Sequence, residues 1–131
     1  MEADGTIRTE RLLLEPLAHE HAAELFPALS DPRLYSFIPR DPPRTVAELE
    51  TRLRRIEVRC APCRQELWLN WTVRTEGQTI GRIEVTVRDD RTALLAYELA
   101  PTHWGRGLAT EACAAVLEAL WTEYPLDRII A

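Results

Sequence analysis

The sequence predicts a mixed α+β domain built on a central, mostly antiparallel sheet. Three observations predict it. Two stretches of alternating character, Leu67–Arg74 and Thr79–Arg88, meet near a Glu76-Gly77-Gln78 turn, and a period of two marks a half-buried strand. A third aliphatic stretch, Thr92–Ala100, follows Asp89-Asp90-Arg91, so the three read as an antiparallel meander. The segment from Gly107 to about Thr122 is apolar nearly all round, as a helix buried against a sheet must be. The 131 residues suffice for one domain with one core, expected over 1–131.

The elements follow in order. Ile7–Leu14, with its aliphatic run Leu12-Leu13-Leu14, predicts a first strand that Pro16 ends. Ala18–Leu29 places Ala18, Ala22, Leu25, Phe26 and Leu29 on one helical stripe, and Pro27 should kink this helix or end it early. His19 and His21 lie two apart and do not share a helix face, so two solvated histidines are expected rather than a metal pair. Ser30–Arg44 holds Pro32, Pro39, Pro42 and Pro43 and reads as a long loop, with Tyr35, Phe37 and Ile38 available for burial. Thr45-Val46-Ala47-Glu48 has capping-box spacing. The helix it starts carries Val46, Leu49, Leu53 and Ile56 as its apolar stripe. Arg52, Arg55 and Arg59 lie off that stripe, either on a solvated basic face or in contact with phosphates. After the meander and the buried helix, Arg128–Ala131 reads as the start of a further strand.

Composition narrows the function. Hydrophobic residues make up 46% of the chain and the net charge is −5, which suits a globular protein and argues against nucleic acid as the main partner. A cationic or amine substrate is mildly favoured. All sixteen basic residues are arginine, so no lysine is present to form a Schiff base or to act as a P-loop ligand. No apolar run approaches a membrane span, and the acidic start MEADGTIRTE resembles neither a secretory signal nor a transit peptide. A cytoplasmic protein with no membrane contact is expected. The three cysteines do not suggest a disulfide framework. Cys60-Ala61-Pro62-Cys63 lacks a second ligand pair for zinc, and its order, helix before and strand after, is the reverse of a redox motif. Cys113, among alanines, is expected in the core, and no metal is expected.

Chemistry concentrates at Tyr97–Ala112, YELAPTHWGRGLATEA. A strand runs through Pro101 into a turn with Gly105 and Gly107 and then directly into the buried helix. Glycine permits positive φ and close backbone approach. A glycine turn that opens a helix offers free N–H groups and the positive end of the helix dipole, an anion site. By itself the same pattern is also a plain strand-to-helix turn.

Three separated pieces together resemble the GNAT superfamily of acetyl-CoA-dependent N-acetyltransferases, in the branch similar to ribosomal-protein alanine N-acetyltransferases. They are Thr9-Glu10-Arg11-Leu12-Leu13-Leu14, Ile80-Gly81-Arg82-Ile83 and, most specifically, Trp104-Gly105-Arg106-Gly107-Leu108-Ala109-Thr110-Glu111-Ala112. The resemblance implies a GNAT-like sheet with helices on both faces. It implies that the strand ending at Leu99 carries a bulge and splays from its neighbour to admit acetyl-CoA as cosubstrate. The backbone at Leu99 and Ala100 would then bind the pantetheine and the thioester oxygen. The segment from Trp104, through Gly105, Arg106, Gly107, Leu108 and Ala109 to the Thr110 hydroxyl, would hold the pyrophosphate. Three departures stand out. Trp104 replaces the frequent Gln or Arg, Leu94 stands where an acid is common, and the family's last helix and two strands have no counterpart in the sequence. That last region normally carries a candidate acid for the leaving thiolate. A fifth strand without its neighbours invites pairing with a second copy, so a homodimer is one expected state.

The implied reaction is direct attack of a primary amine, on a protein N-terminus or a small molecule, on the thioester. Positioning is the main requirement. An α-amine with pKa near ~8 loses its proton more readily than a lysine amine near ~10.4, and a thiol near ~8.5 leaves with little help. Glu98 and Glu84 are the candidate bases. Glu98 alternates onto the side of Leu94 and Ala96, and apolar neighbours there should raise its pKa. The competing expectation for each is a solvated or arginine-paired residue. Glu111 is expected to be structural, at a helix start. The alternative function is a non-catalytic or degenerate acyl-CoA-binding module, suggested by Leu94 and the missing tail. A nucleoside-triphosphate site is disfavoured because Trp104–Thr110 lacks the Lys-Ser/Thr of a P-loop.

Overall fold

A computed structural model describes residues 1–2, 4–36, 38–57 and 66–131. Phe37, Arg59 and the Cys60–Cys63 motif lie outside the described residues. Six strands form one sheet in sequence order: β1 (Ile7–Arg8), β2 (Leu13–Pro16), β3 (Glu66–Thr75), β4 (Gln78–Arg88), β5 (Thr92–Leu99) and β6 (Arg128–Ile130). The first four pairings are antiparallel and β5–β6 is parallel. A parallel pair needs a crossover, and α3 (Leu108–Glu123) is that crossover. Two further α-helices among the described residues are α1 (Ala22–Leu29) and α2 (Val46–Ile56).

The predicted meander is β3–β4–β5. The predicted single strand Ile7–Leu14 is instead two strands folded on each other. Thr9 N–H donates to the Leu12 carbonyl at 2.9 Å, and Leu12 N–H donates to Thr9 Oγ1 at 2.9 Å. This local side-chain bond offers the backbone a turn in place of a continuous strand. Pro27 does not stop α1 early, since the helix runs on to Leu29. Burial of Leu25, Ala28 and Leu29 outweighs the lost helical bond. Thr45 caps α2 as expected, its Oγ1 accepting from Glu48 N–H at 3.1 Å. The reciprocal bond differs: Glu48 accepts from Arg44 N–H at 3.4 Å, one residue earlier than a capping box requires.

The two faces of the sheet differ in chemistry. One carries Leu69, Trp71, Val73, Ile83, Val85, Leu95 and Leu99 into a core with Leu108, Ala112, Val116 and Leu120 of α3. The other carries Thr72, Arg82 and Glu98 in one cross-strand row and faces α1 and α2. Those helices form a second apolar cluster with Leu17, Leu25, Leu29, Leu49 and Leu53. Helices therefore cover both faces. The histidines are not simply solvated: His21 Nδ1 bonds Thr72 Oγ1 at 2.7 Å and His19 Nδ1 bonds Glu57 at 2.7 Å. Cys113 is half-buried rather than a full core residue.

Register breaks between β3 and β4, where Val73 pairs Gly81 but Arg74 pairs Thr79, leaving Ile80 as an extra residue. The β4–β5 ladder is unbroken from Gly81↔Leu99 to Val87↔Ala93. The irregularity thus lies in β4, and not in β5 where the resemblance placed it. Gly81 is required at the join. A Cβ there would sit 2.0 Å from the Glu98 carbonyl oxygen and 2.8 Å from Leu99 Cα.

Candidate active site

A cleft of about 550 Å³ opens where β5 runs into α3. Leu99, Trp104, Gly105, Gly107, Leu108, Ala109 and Thr110, seven of the nine predicted cofactor residues, line it. Gly105 and Gly107 both adopt left-handed φ, 78° and 75°, which a side chain disfavours. Gly107 is the N-cap of α3. The first helical bond is Glu111 N–H to the Gly107 carbonyl at 3.0 Å. The N–H groups of Leu108, Ala109 and Thr110 consequently have no partner within the helix, and they crowd at the positive end of its dipole.

Ala100 and Arg106 do not line the cleft. Ala100 N–H is consumed by the Ile80 carbonyl at 2.7 Å, so it has no donor left for a thioester oxygen. The same bond fixes the phase of the ladder. With Ala100 bonded to Ile80, the Leu99↔Gly81 pair falls at a non-hydrogen-bonded position, and the N–H of Leu99 points away from β4. β6 pairs only with Thr92–Leu94. Among the described residues, the edge of β5 at Leu99 is therefore open toward the cleft. Trp104 Nε1 donates to the Leu99 carbonyl at 2.9 Å and ties the glycine turn back to the strand end. Arg106 gives its carbonyl to Arg11 Nη1 at 2.9 Å.

Glu111 is structural, as expected. Its carboxylate accepts from the Thr9 hydroxyl, from Arg11 N–H at 2.9 Å and from Arg11 Nε at 2.7 Å. The Thr9 bond first, then Arg11 against a small desolvation, holds its pKa below the ordinary glutamate value. The β1–β2 turn thus clamps the start of α3 from behind.

Of the two expectations for Glu98, the structure shows the arginine-paired residue and not the raised pKa. Glu98 is 7% exposed, and that burial alone would raise its pKa. The charges of Arg82 and Arg40 and their hydrogen bonds outweigh burial, and the net direction is down. Arg82 Nη2 donates to Oε1 at 2.7 Å, and Arg40 donates to the same oxygen. The other oxygen, Oε2, is buried and has no hydrogen-bond partner. Glu98 is thus an ionised carboxylate with free lone pairs, not a neutral acid awaiting ionisation. Glu84 sits on the same face, 41% exposed at its side chain and bonded to Arg82 Nη1 at 3.0 Å. It does not line the cavity that Glu98 borders together with Arg40, Arg52 and Arg82.

The cleft wall also holds Tyr97 and His103, inside the Tyr97–Ala112 stretch but not named as site residues, and Leu34 and Ile38 of the Ser30–Arg44 loop, the segment expected to shape the acceptor pocket. Arg40 of that loop and Arg82, around Glu98, have no role assigned from the sequence. The cross-strand position of Arg82 opposite Glu98 could have been found by counting register from the two turns. Arg40, 58 residues from Glu98, has no such local signal. Among the described residues, no group of three or more His, Cys, Asp or Glu side chains is placed to hold a metal, and no helix is long and apolar enough to cross a membrane.

An open strand edge beside a glycine-opened helix, on a curled six-stranded sheet, defines a GNAT-like fold. The chain belongs to the GNAT acetyltransferase family: the family model for the acetyltransferase (GNAT) domain matches residues 11–131. Among solved structures, it is similar to a GNAT-family acetyltransferase from Bacillus anthracis at 21% identity and TM-score 0.75, covering 95% of this chain and 70% of that one. A putative acetyltransferase from T. thermophilus is similar at 24% identity and TM-score 0.76, over 95% of this chain and 64% of that one. An acetyltransferase from Salmonella typhimurium that modifies the N-terminal serine of 50S ribosomal subunit protein L7/L12 aligns at 12% identity and TM-score 0.79, over 95% and 72%. At these identities the likeness is one of fold. The chain spans about two thirds of the lengths of these proteins. No curated protein sequence matches it.

Proposed function

We propose that the protein transfers an acetyl group from acetyl-CoA to a primary amine. The observation that carries this reading is the cleft itself, with an open β5 edge at Leu99 on one side and the unpaired N–H groups of Leu108, Ala109 and Thr110 on the other. In this reading the α3 amides hold the cofactor's pyrophosphate, and Leu99 N–H faces the pantetheine arm and the thioester oxygen. Ala100 supports the strand end, and Trp104 braces the turn. Arg106, through its carbonyl bond to Arg11, fixes the loop rather than touching the cofactor.

The amine nitrogen attacks the thioester carbon. A C–N bond forms, the C–S bond breaks, and the thiolate leaves with the bonding pair. The nitrogen gains positive charge as it attacks and then releases a proton to water. Glu98, held ionised and with Oε2 unpartnered, would accept an N–H of the amine and stabilise that developing charge. Preorganised electrostatics of this kind suits a carboxylate with a lowered pKa, which is a poor proton store. Glu84 acts through Arg82, not on the amine. The acceptor is a small amine or a protein N-terminus, the latter supported by the fold neighbour that acts on ribosomal L7/L12.

The test is calorimetric titration of CoA into the folded protein, followed by thiol release from acetyl-CoA with a panel of amines. Saturable binding and acceptor-dependent thiol release are expected. A folded sample that binds no CoA overturns the reading, and binding without turnover across the panel leaves only a cofactor-binding module.

A further inference from the structure

On the face of β5 that carries Glu98 lies a second cavity, of about 370 Å³. Its wall includes Arg40, Arg52, Arg55 and Arg82, and among the described residues Glu98 is the only acid in it. Glu98 and Leu99 are consecutive strand residues and so project to opposite faces, which places this cavity one residue from the cleft. We infer that the cavity takes the acceptor, and that the acceptor is an amine that also bears an anionic group, a phosphate or a carboxylate. The inference rests on the transferase reading and names the substrate class for it.

The charge arrangement points to such a molecule. Arg82 is internally committed, with bonds to Asn70 Oδ1 at 3.0 Å, Glu84 at 3.0 Å and Glu98 at 2.7 Å. Arg40 shares the same Glu98 oxygen, so one carboxylate answers two guanidinium groups there. Arg52 pairs with Glu48 at 2.9 Å and with the Asp41 carbonyl at 3.2 Å. Arg55 is exposed, and the ion pairs of its helix neighbours are made by Arg52 with Glu48 and by Arg54 with Glu50, so among the described residues it forms none itself. In a chain of net charge −5, this wall carries surplus positive charge. A simple cation entering it would meet like charge, which disfavours it. A phosphate or carboxylate is the group that guanidinium forks match.

The second observation is the buried Oε2 of Glu98, which lacks a donor. A buried acceptor left unmade costs about 1–3 kcal/mol, and an amine N–H would satisfy it. Reaching it requires a side-chain shift, and Arg40, 47% exposed at its side chain, has the freedom to swing. The cavity therefore offers an acceptor for the amine beside donors for the anion, and it borders the β5 edge, where the Leu99 N–H lies in the plane of the sheet and faces the proposed thioester position.

The experiment uses matched pairs on the full chain. O-phosphoethanolamine is compared with ethanolamine, and β-alanine with β-alaninamide, by ligand-observed NMR titration with and without CoA. The anionic member of at least one pair should bind about tenfold or more tightly than its neutral partner. The two pairs tell phosphate from carboxylate. Arg52→Gln and Arg55→Gln, chosen because Arg55 is exposed and the Arg52 side chain is 33% exposed and neither lies in the apolar core, should reduce that preference severalfold and leave CoA affinity unchanged. Equal affinity within both pairs, or a preference untouched in both variants, overturns the inference. Loss of CoA binding with the anion preference intact would sink the transferase reading instead and leave an anionic-amine site.

Discussion

At Glu98, two opposing effects act on one carboxyl group. Burial favours the neutral acid, and two guanidinium groups favour the anion. The charges prevail because Arg82 is itself only 6% exposed and its field is poorly screened. Removing the acid leaves that buried cation with Glu84 and Asn70 alone. Glu98→Ala should destabilise the fold by about 1.5–3 kcal/mol, the worth of a hydrogen bond to a charged group, read as a lower urea midpoint at unchanged slope. Gly81 is a second residue whose identity is set by one contact. Gly81→Ala would drive a methyl group into the Glu98 carbonyl at 2.0 Å. Strand separation must then increase, and a loss of at least about 3 kcal/mol is expected in the same assay.

The turn from Trp104 into α3 works as one element. Its two glycines differ in surroundings. A Cβ on Gly105 would meet nothing within 4 Å, and on Gly107 only Arg11 Nη2 at 3.5 Å. Sterics therefore do not require glycine at either place, and positive φ does. Gly107→Ala should cost about 1–2 kcal/mol from the left-handed backbone alone. It should also weaken CoA binding, because the first-turn amides are set by that residue's dihedrals. Stability loss with unchanged CoA affinity would show that the amides do not hold the cofactor. The clamp behind this turn, Thr9 and Arg11 on Glu111, explains why the β1–β2 turn and the start of α3 carry matching polar residues though 100 or so positions separate them. The Thr9 hydroxyl also makes the local turn bond that splits the predicted first strand.

Across the whole molecule, several carboxylates are held below their ordinary pKa, Glu98 against its burial by the charges of Arg82 and Arg40, and Glu111 first by the Thr9 hydroxyl and then by Arg11. Each binds fewer protons in the folded state than in the unfolded chain. The stability they contribute is complete above the ordinary glutamate value, about 4.3, and is lost as pH falls through their lower folded values. Thermal midpoints should thus decline on acidification below roughly pH 5. Glu98→Gln, which cannot titrate, should flatten part of that decline. An unchanged slope would mean that Glu98 is not held ionised.

The meander, the buried helix and the glycine turn were legible because each rests on local signals: alternation, apolar periodicity and positive-φ glycine. They determined the family and seven residues of the cleft. The tertiary structure alone decided the state of Glu98. Alternation placed it correctly on the face away from Leu99, yet the apolar neighbours read along the strand were outweighed by Arg82 across the ladder and Arg40 from a distant loop. Likewise, only the phase of the β4–β5 ladder decided that Leu99 offers an amide and Ala100 does not. Periodicity reports which face a side chain takes. Charge and hydrogen-bond partners come from chain segments that the sequence brings together only on folding, and those partners set the chemistry.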